Sequence, residues 1–88
     1  MDAGVGRNMR SLEEWKNQAI SFVESIKPED ATAELHLRAL KTRIEQARPS
    51  TLYYVLREIW KLQKEMPELR NIIPTEDEVS SWFREGRE

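Results

Sequence analysis

The chain has no cysteine, a single histidine (His36), and only three glycines, at positions 4, 6 and 86. Without cysteine there is no disulfide and no thiolate metal ligand. With one histidine, an imidazole-based metal centre has no second ligand of its own kind. Glycines confined to the ends leave no interior loop able to cradle a phosphate or present a nucleophile on a strained elbow. No apolar run approaches the roughly 18 residues that a membrane span requires, and no window alternates polar and apolar residues as a half-buried strand does. Internal repeats and low-complexity tracts are missing as well. Together these absences predict a soluble, intracellular, sheet-free chain with no membrane contact, no cofactor, no metal and no enzymatic activity.

What the sequence does contain is regular punctuation. Ser11 followed three residues later by Glu14 is a capping box, in which each side chain satisfies a backbone N–H left free by the first helical turn. Beyond it Leu12, Trp15, Ala19, Phe22, Val23 and Ile26 share one helical face, opposite Glu13, Asn17, Ser21 and Glu24. Lys27-Pro28 ends this stretch, because the residue before a proline is driven out of the helical region. Asp30 is the predicted N-cap of a second helix running towards Arg48-Pro49, with Ala33, Leu37, Leu40, Ile44 and Ala47 as its seam. A third helix is predicted from a Ser50 cap to Met66-Pro67, burying Leu52, Val55, Leu56, Ile59, Leu62 and Met66. Leu69, Ile72 and Ile73 then form a short apolar cover. Thr75 with Glu78 makes a second capping box, opening a short helix that carries Val79, Trp82 and Phe83 and ends near Gly86.

Connections this short favour antiparallel neighbours. The fold predicted is all-α, a compact bundle of three main helices plus a short C-terminal fourth helix. Residues 1–10 have two glycines and no apolar block, so they read as a disordered lead rather than a signal peptide, with residues 11–88 as one domain.

The net charge of −2 is unevenly spread. Residues 31–66 carry seven basic and four acidic side chains, whereas residues 67–88 carry three and six. A mildly basic centre with an acidic end suits a polar partner surface without demanding a polyanion.

Three candidate chemistries have plainer readings. Glu13-Glu14, Glu29-Asp30 and Glu76-Asp77-Glu78 are paired carboxylates, but each lies at a helix start, where negative charge complements the macrodipole. Catalytic carboxylates need a pocket that drives their pKa values apart, and a bundle this small has little room for one. His36 invites comparison with phosphotransfer bundles, which place an exposed histidine before a basic residue and a glycine. Here the run is His36-Leu37-Arg38-Ala39-Leu40-Lys41, with no glycine, on the flank of the apolar seam. A half-buried packing histidine is the expectation.

One feature is not absorbed by packing. On the third helix Tyr53 and Trp60, seven residues apart, lie beside the core face, with Arg57 and Lys64 on the same flank and Tyr54 and Lys61 just beyond. Aromatics interleaved with cations suit a protein surface, where Trp, Tyr and Arg are the usual anchors. They also suit nucleic acid, where bases stack on aromatics and cations hold phosphates. The structural alternative is that Tyr53 and Trp60 seal the gap between the third and fourth helices. The second helix adds a smaller outer patch, Leu35 and Ala39, with Thr42 beside them. Its mixed stripe of Glu34, Arg38, Lys41, Glu45 and Arg48 looks like solvated ion pairs.

The expected function is therefore a non-enzymatic protein–protein interaction module of docking or regulatory kind. Its partner-binding residues would be Tyr53, Arg57, Trp60 and Lys64, with Leu35 and Ala39 second. A nucleic-acid-binding regulator using the third helix and the basic side of the second is the alternative. Association into a homodimer through the same patch would stabilise a small domain by mass action.

Overall fold

The computed structural model describes residues 10–85, so residues 1–9 of the expected lead and the expected stop at Gly86 lie outside the described residues. Among the described residues 74% are helical and none is in a strand. Four α-helices follow one another: α1 Leu12–Ser25, α2 Ala31–Glu45, α3 Leu52–Leu62 and α4 Glu76–Glu85, with a 3₁₀ helix Pro67–Ile72 between the last two. No helix is long and apolar enough to cross a membrane.

The helix starts follow local chemistry. At α1 the Ser11 hydroxyl accepts from the Glu14 backbone N–H at 3.1 Å, and the Glu14 carboxylate accepts from the Ser11 N–H at 2.8 Å. At α2 the Asp30 carboxylate accepts from the Ala33 N–H at 2.8 Å. Substituting a cap of this kind by alanine costs about 1 kcal/mol.

The start of α3 differs from expectation. Ser50 is not its cap: Thr51 occupies that position, in a turn where its hydroxyl accepts from the Arg48 N–H at 3.0 Å. The hydroxyl is thus spent on the preceding turn, and the first turn of α3 has no side-chain cap. The helix is also shorter than Ser50–Met66, because residues 63–65 form a turn ahead of Pro67. Likewise α2 stops at Glu45, with Gln46 as its C-cap, rather than reaching Arg48.

The apolar faces meet as their spacing requires. α1 packs on α2, α2 on α3, and the 3₁₀ helix covers both α1 and α3. Trp15, Ala19, Val23, Leu37, Leu40, Ile44, Leu52, Val55, Ile59, Leu62, Leu69, Ile72 and Trp82 are buried in one cluster. The short cover is thus a regular element whose Leu69 and Ile72 are core residues, with Ile73 packed at the edge. Lys41 of α2 reaches Glu24 of α1 at 2.6 Å, so it ties two helices together instead of joining a solvated stripe along α2. Glu34 and Arg38 do form the expected i,i+4 pair, at 3.3 Å, worth a few tenths of a kcal/mol.

α4 is attached largely through two side chains. The Trp82 ring packs against Trp15, tilted at 42° with centroids 5.7 Å apart. Both indole N–H groups donate to backbone carbonyls, Trp15 to Ile72 at 2.6 Å and Trp82 to Arg10 at 2.9 Å. Glu78, its side chain only 1% exposed, takes a bidentate guanidinium from Arg10 at 2.8 and 2.9 Å. It also accepts from the backbone N–H groups of Arg10 and Thr75, both at 3.0 Å. Arg10, which the sequence placed in the expected disordered lead, is therefore part of the bundle.

These contacts hold the Glu78 carboxyl at about 2, well below the usual carboxylate range, the hydrogen bond from Arg10 being the largest cause. Val79 is half-buried, and Phe83 sits at the rim, 38% exposed, rather than in the apolar interior.

Candidate functional site

The site is built on α3. Its core-facing residues Leu52, Val55, Ile59 and Leu62 recur at intervals of three and four and are buried, which fixes the rotational setting of the helix. At 100° per residue, Trp60 and Tyr53 then fall beyond the edge of the core face, next to half-buried Leu56. Arg57 and Lys61 follow further round, and Lys64 stands in the turn just past the end of α3. Tyr53 is 62% exposed and Trp60 59% exposed. Neither seals a gap against α4, so the packing explanation for these two rings does not hold in this fold.

Tyr53, Leu56, Arg57, Trp60, Lys61 and Lys64 line an open groove of about 460 Å³. All four residues expected on the primary flank come together there. Lys61, placed just outside that flank by its spacing, is a lining residue, and Leu56, assigned to the core, forms the apolar shoulder. Both lie at positions where the length of the side chain, not the angle of its Cα, decides which face it covers. Tyr54 does not line the groove, but it is exposed and meets Tyr53 edge-on with ring centroids 6.4 Å apart.

The charges of the groove are all of one sign. Among the described residues every salt bridge involves other cations: Arg10, Lys16, Arg38 and Lys41. Arg57, Lys61 and Lys64 have no carboxylate partner among the described residues. The apolar stripe of Leu56, Trp60 and Tyr53 borders the core, while the cationic stripe lies to one side of it, facing solvent.

The second patch is separate. Leu35 is 61% exposed and Ala39 is also at the surface, on α2, but neither lines the α3 groove. His36 is half-buried, as its place on the flank of the seam implies, and its Nδ1 is buried without a hydrogen-bond partner. Among the described residues no group of three or more His, Cys, Asp or Glu side chains is placed to hold a metal.

Fold and site together define a small all-α bundle with an exposed aromatic–basic groove on one helix. Compared with protein-family models, with curated proteins and with solved structures, the chain matches none.

Proposed function

We propose that the protein is a non-enzymatic interaction module that docks a protein partner on the α3 groove. The observation that carries this reading is the exposure of Tyr53 and Trp60 beside three cations that have no carboxylate partner among the described residues. Large aromatics left in water cost free energy that burial against a partner returns, at about 25 cal/mol per Å² of apolar surface. Trp, Tyr and Arg are the residue types that most often dominate such contacts. A single exposed apolar side chain needs no explanation, but here two aromatics, a leucine shoulder and an arginine share one groove.

The absence of catalysis is part of the proposal and has its own support. The carboxylates best placed by spacing for acid–base work are engaged in capping: Glu14 with Ser11, Asp30 with Ala33, Glu78 with Thr75. Glu78, the one buried acid, is held ionised by Arg10, the opposite of what a general acid needs.

The nucleic-acid alternative draws less support. It recruits the basic side of α2, where Arg38 is paired with Glu34 and Lys41 with Glu24.

The test is a pair of measurements on Trp60→Ala. With the intact chain as bait, partners retained from a lysate are compared for parent and variant, and the affinity for the retained protein is then measured alongside the denaturation midpoint. A docking anchor loses at least about 2 kcal/mol of binding and leaves the midpoint nearly unchanged. If the midpoint falls steeply, or the variant binds as well as the parent, the α3 groove is not the docking site and attention moves to Leu35 and Ala39.

A further inference from the structure

The groove is asymmetric, and its asymmetry constrains what can occupy it. Tyr53, Arg57 and Trp60 stand at i, i+4 and i+7 on α3, running roughly 10 Å along the helix axis at 1.5 Å per residue, and Lys64 extends the row from the turn that follows Leu62. Such a row is a ridge of the kind into which the side chains of a second helix interdigitate. Around the helix the apolar part, Leu56, Trp60 and Tyr53, lies nearer the core face, and the cations Arg57 and Lys61 lie further round, with Lys64 in the turn beyond. A helix laid along it therefore meets hydrocarbon on one edge and positive charge on the adjacent edge.

Resting on the docking reading above, we infer that the occupant is an acidic amphipathic helix of another protein. Its apolar seam would sit over Leu56 between Tyr53 and Trp60, and a flank of Asp or Glu residues would face Arg57, Lys61 and Lys64. Charge complementarity selects the sign: three cations lining one groove, without a carboxylate partner among the described residues, are the groups a partner's carboxylates can neutralise. Leu56 favours a helix over a polyanion: its aliphatic shoulder beside the two rings gives an apolar seam surface to bury against, whereas bases stack on the rings alone.

A second copy of this chain is a poorer occupant, although residues 67–88 carry net negative charge. In α4 Trp82 is buried and Val79 half-buried, so the exposed apolar surface shrinks to Phe83 with Arg84 beside it. No apolar seam is left on α4 to fill the groove.

The test uses the full chain and synthetic helical peptides of about 16 residues, long enough to span the groove with a turn at each end. One peptide has leucines on a single seam and glutamates along one flank. A second keeps the seam and replaces the glutamates by lysines. A third has the composition of the first in scrambled order. Binding is followed by anisotropy of a labelled peptide, against an oligothymidine of about 20 nucleotides and phosphatidylserine vesicles.

The acidic peptide is expected to bind about tenfold or more tightly than the basic one, to depend on Trp60, and to surpass the scrambled peptide. In the double variant Arg57→Glu/Lys61→Glu, whose substitutions are on the surface and whose helical content is checked by circular dichroism, the preference should invert towards the basic peptide. Inversion also shows that the variant is folded and the groove intact. Equal binding of acidic and basic peptides, or no binding of the acidic one, overturns the inference, as does a scrambled peptide that binds equally well. Tighter binding of the oligonucleotide or the vesicles overturns it too, and so does a dimer in sedimentation that Trp60→Ala dissociates. A basic peptide that binds better and still requires Trp60 would leave the docking face standing and remove only the acidic partner. Failure of all peptides together with a destabilised Trp60→Ala removes the docking face itself.

Discussion

At the α1–α4 end of the bundle, Trp15 and Trp82 bury their rings against each other and donate both indole N–H groups to carbonyls, while Arg10 closes over the buried Glu78. On α3, Trp60 and Tyr53 leave most of their surface in water, beside three cations with no carboxylate partner among the described residues. The residue types are alike in the two regions: tryptophan, arginine and charge at the edge of an amphipathic helix. The first region satisfies every polar handle internally, so its aromatics are structural. The second satisfies none of its cations internally, and its aromatics remain available. Internal satisfaction, rather than residue type, separates a side chain that holds the fold from one free to bind.

The contrast can be broken most forcefully at Trp15. Trp15→Ala removes the ring that Trp82 packs against and orphans the Ile72 carbonyl. It should cost about 3–5 kcal/mol in chemical denaturation. A loss below about 1 kcal/mol would show that the indole pair lies outside the cooperative core.

Next comes Arg10→Ala, which strands a buried carboxylate with only its capping contacts to Thr75 and the backbone N–H of residue 10. Removing one partner of a buried pair is more damaging than the pair's net worth, and a loss of about 3 kcal/mol at neutral pH is expected. Glu78→Gln should cost less, because the freed Arg10 guanidinium is partly in water. A reversed order of the two variants would contradict this account of the clasp.

Acid should loosen the same region. The Glu78 carboxyl moves from 4.5 to about 2 on folding, so between these values the unfolded chain binds more protons than the folded one. Stability contributed by the clasp is complete above that window and is lost as pH falls through it, amounting to about 3 kcal/mol. In Arg10→Ala the acid-dependent loss should shrink. Denaturation midpoints of parent and variant at several pH values measure both, and identical acid profiles would separate Glu78 from Arg10.

The smallest effect on stability belongs to the other region. Trp60→Ala should change the unfolding free energy by no more than about 0.5 kcal/mol, as surface substitutions do. A tryptophan that is large, conspicuous in the sequence and nearly irrelevant to folding is the sharpest form of the comparison.

Much of the fold was legible locally. The capping boxes Ser11–Glu14 and Thr75–Glu78 and the Asp30 cap form as their three-residue spacing requires, since both partners lie within one turn. Leu40 and Ile59, at the centres of their helices, have no exposed surface. The start of α3 was misjudged because Ser50 and Thr51 are equally good caps by type, and the turn after Arg48 decided between them. The flank residues Tyr53, Arg57 and Trp60 are legible as neighbours because they share one helix, and Lys64 joins them from the turn that follows it. Whether a facing helix covered them was not.

The sequence by itself thus determined which residues form helices, where most helices start and which face of each is apolar, because these depend on contacts within a few residues. Tertiary structure alone decided three things. It joined Arg10 to Glu78 across 68 residues, made Leu69 and Ile72 part of the core, and set α4 against Trp15 instead of against Trp60. Each depends on which helices become neighbours and at what rotation. That choice is made by the whole set of apolar faces burying one another at once, and no local spacing encodes it.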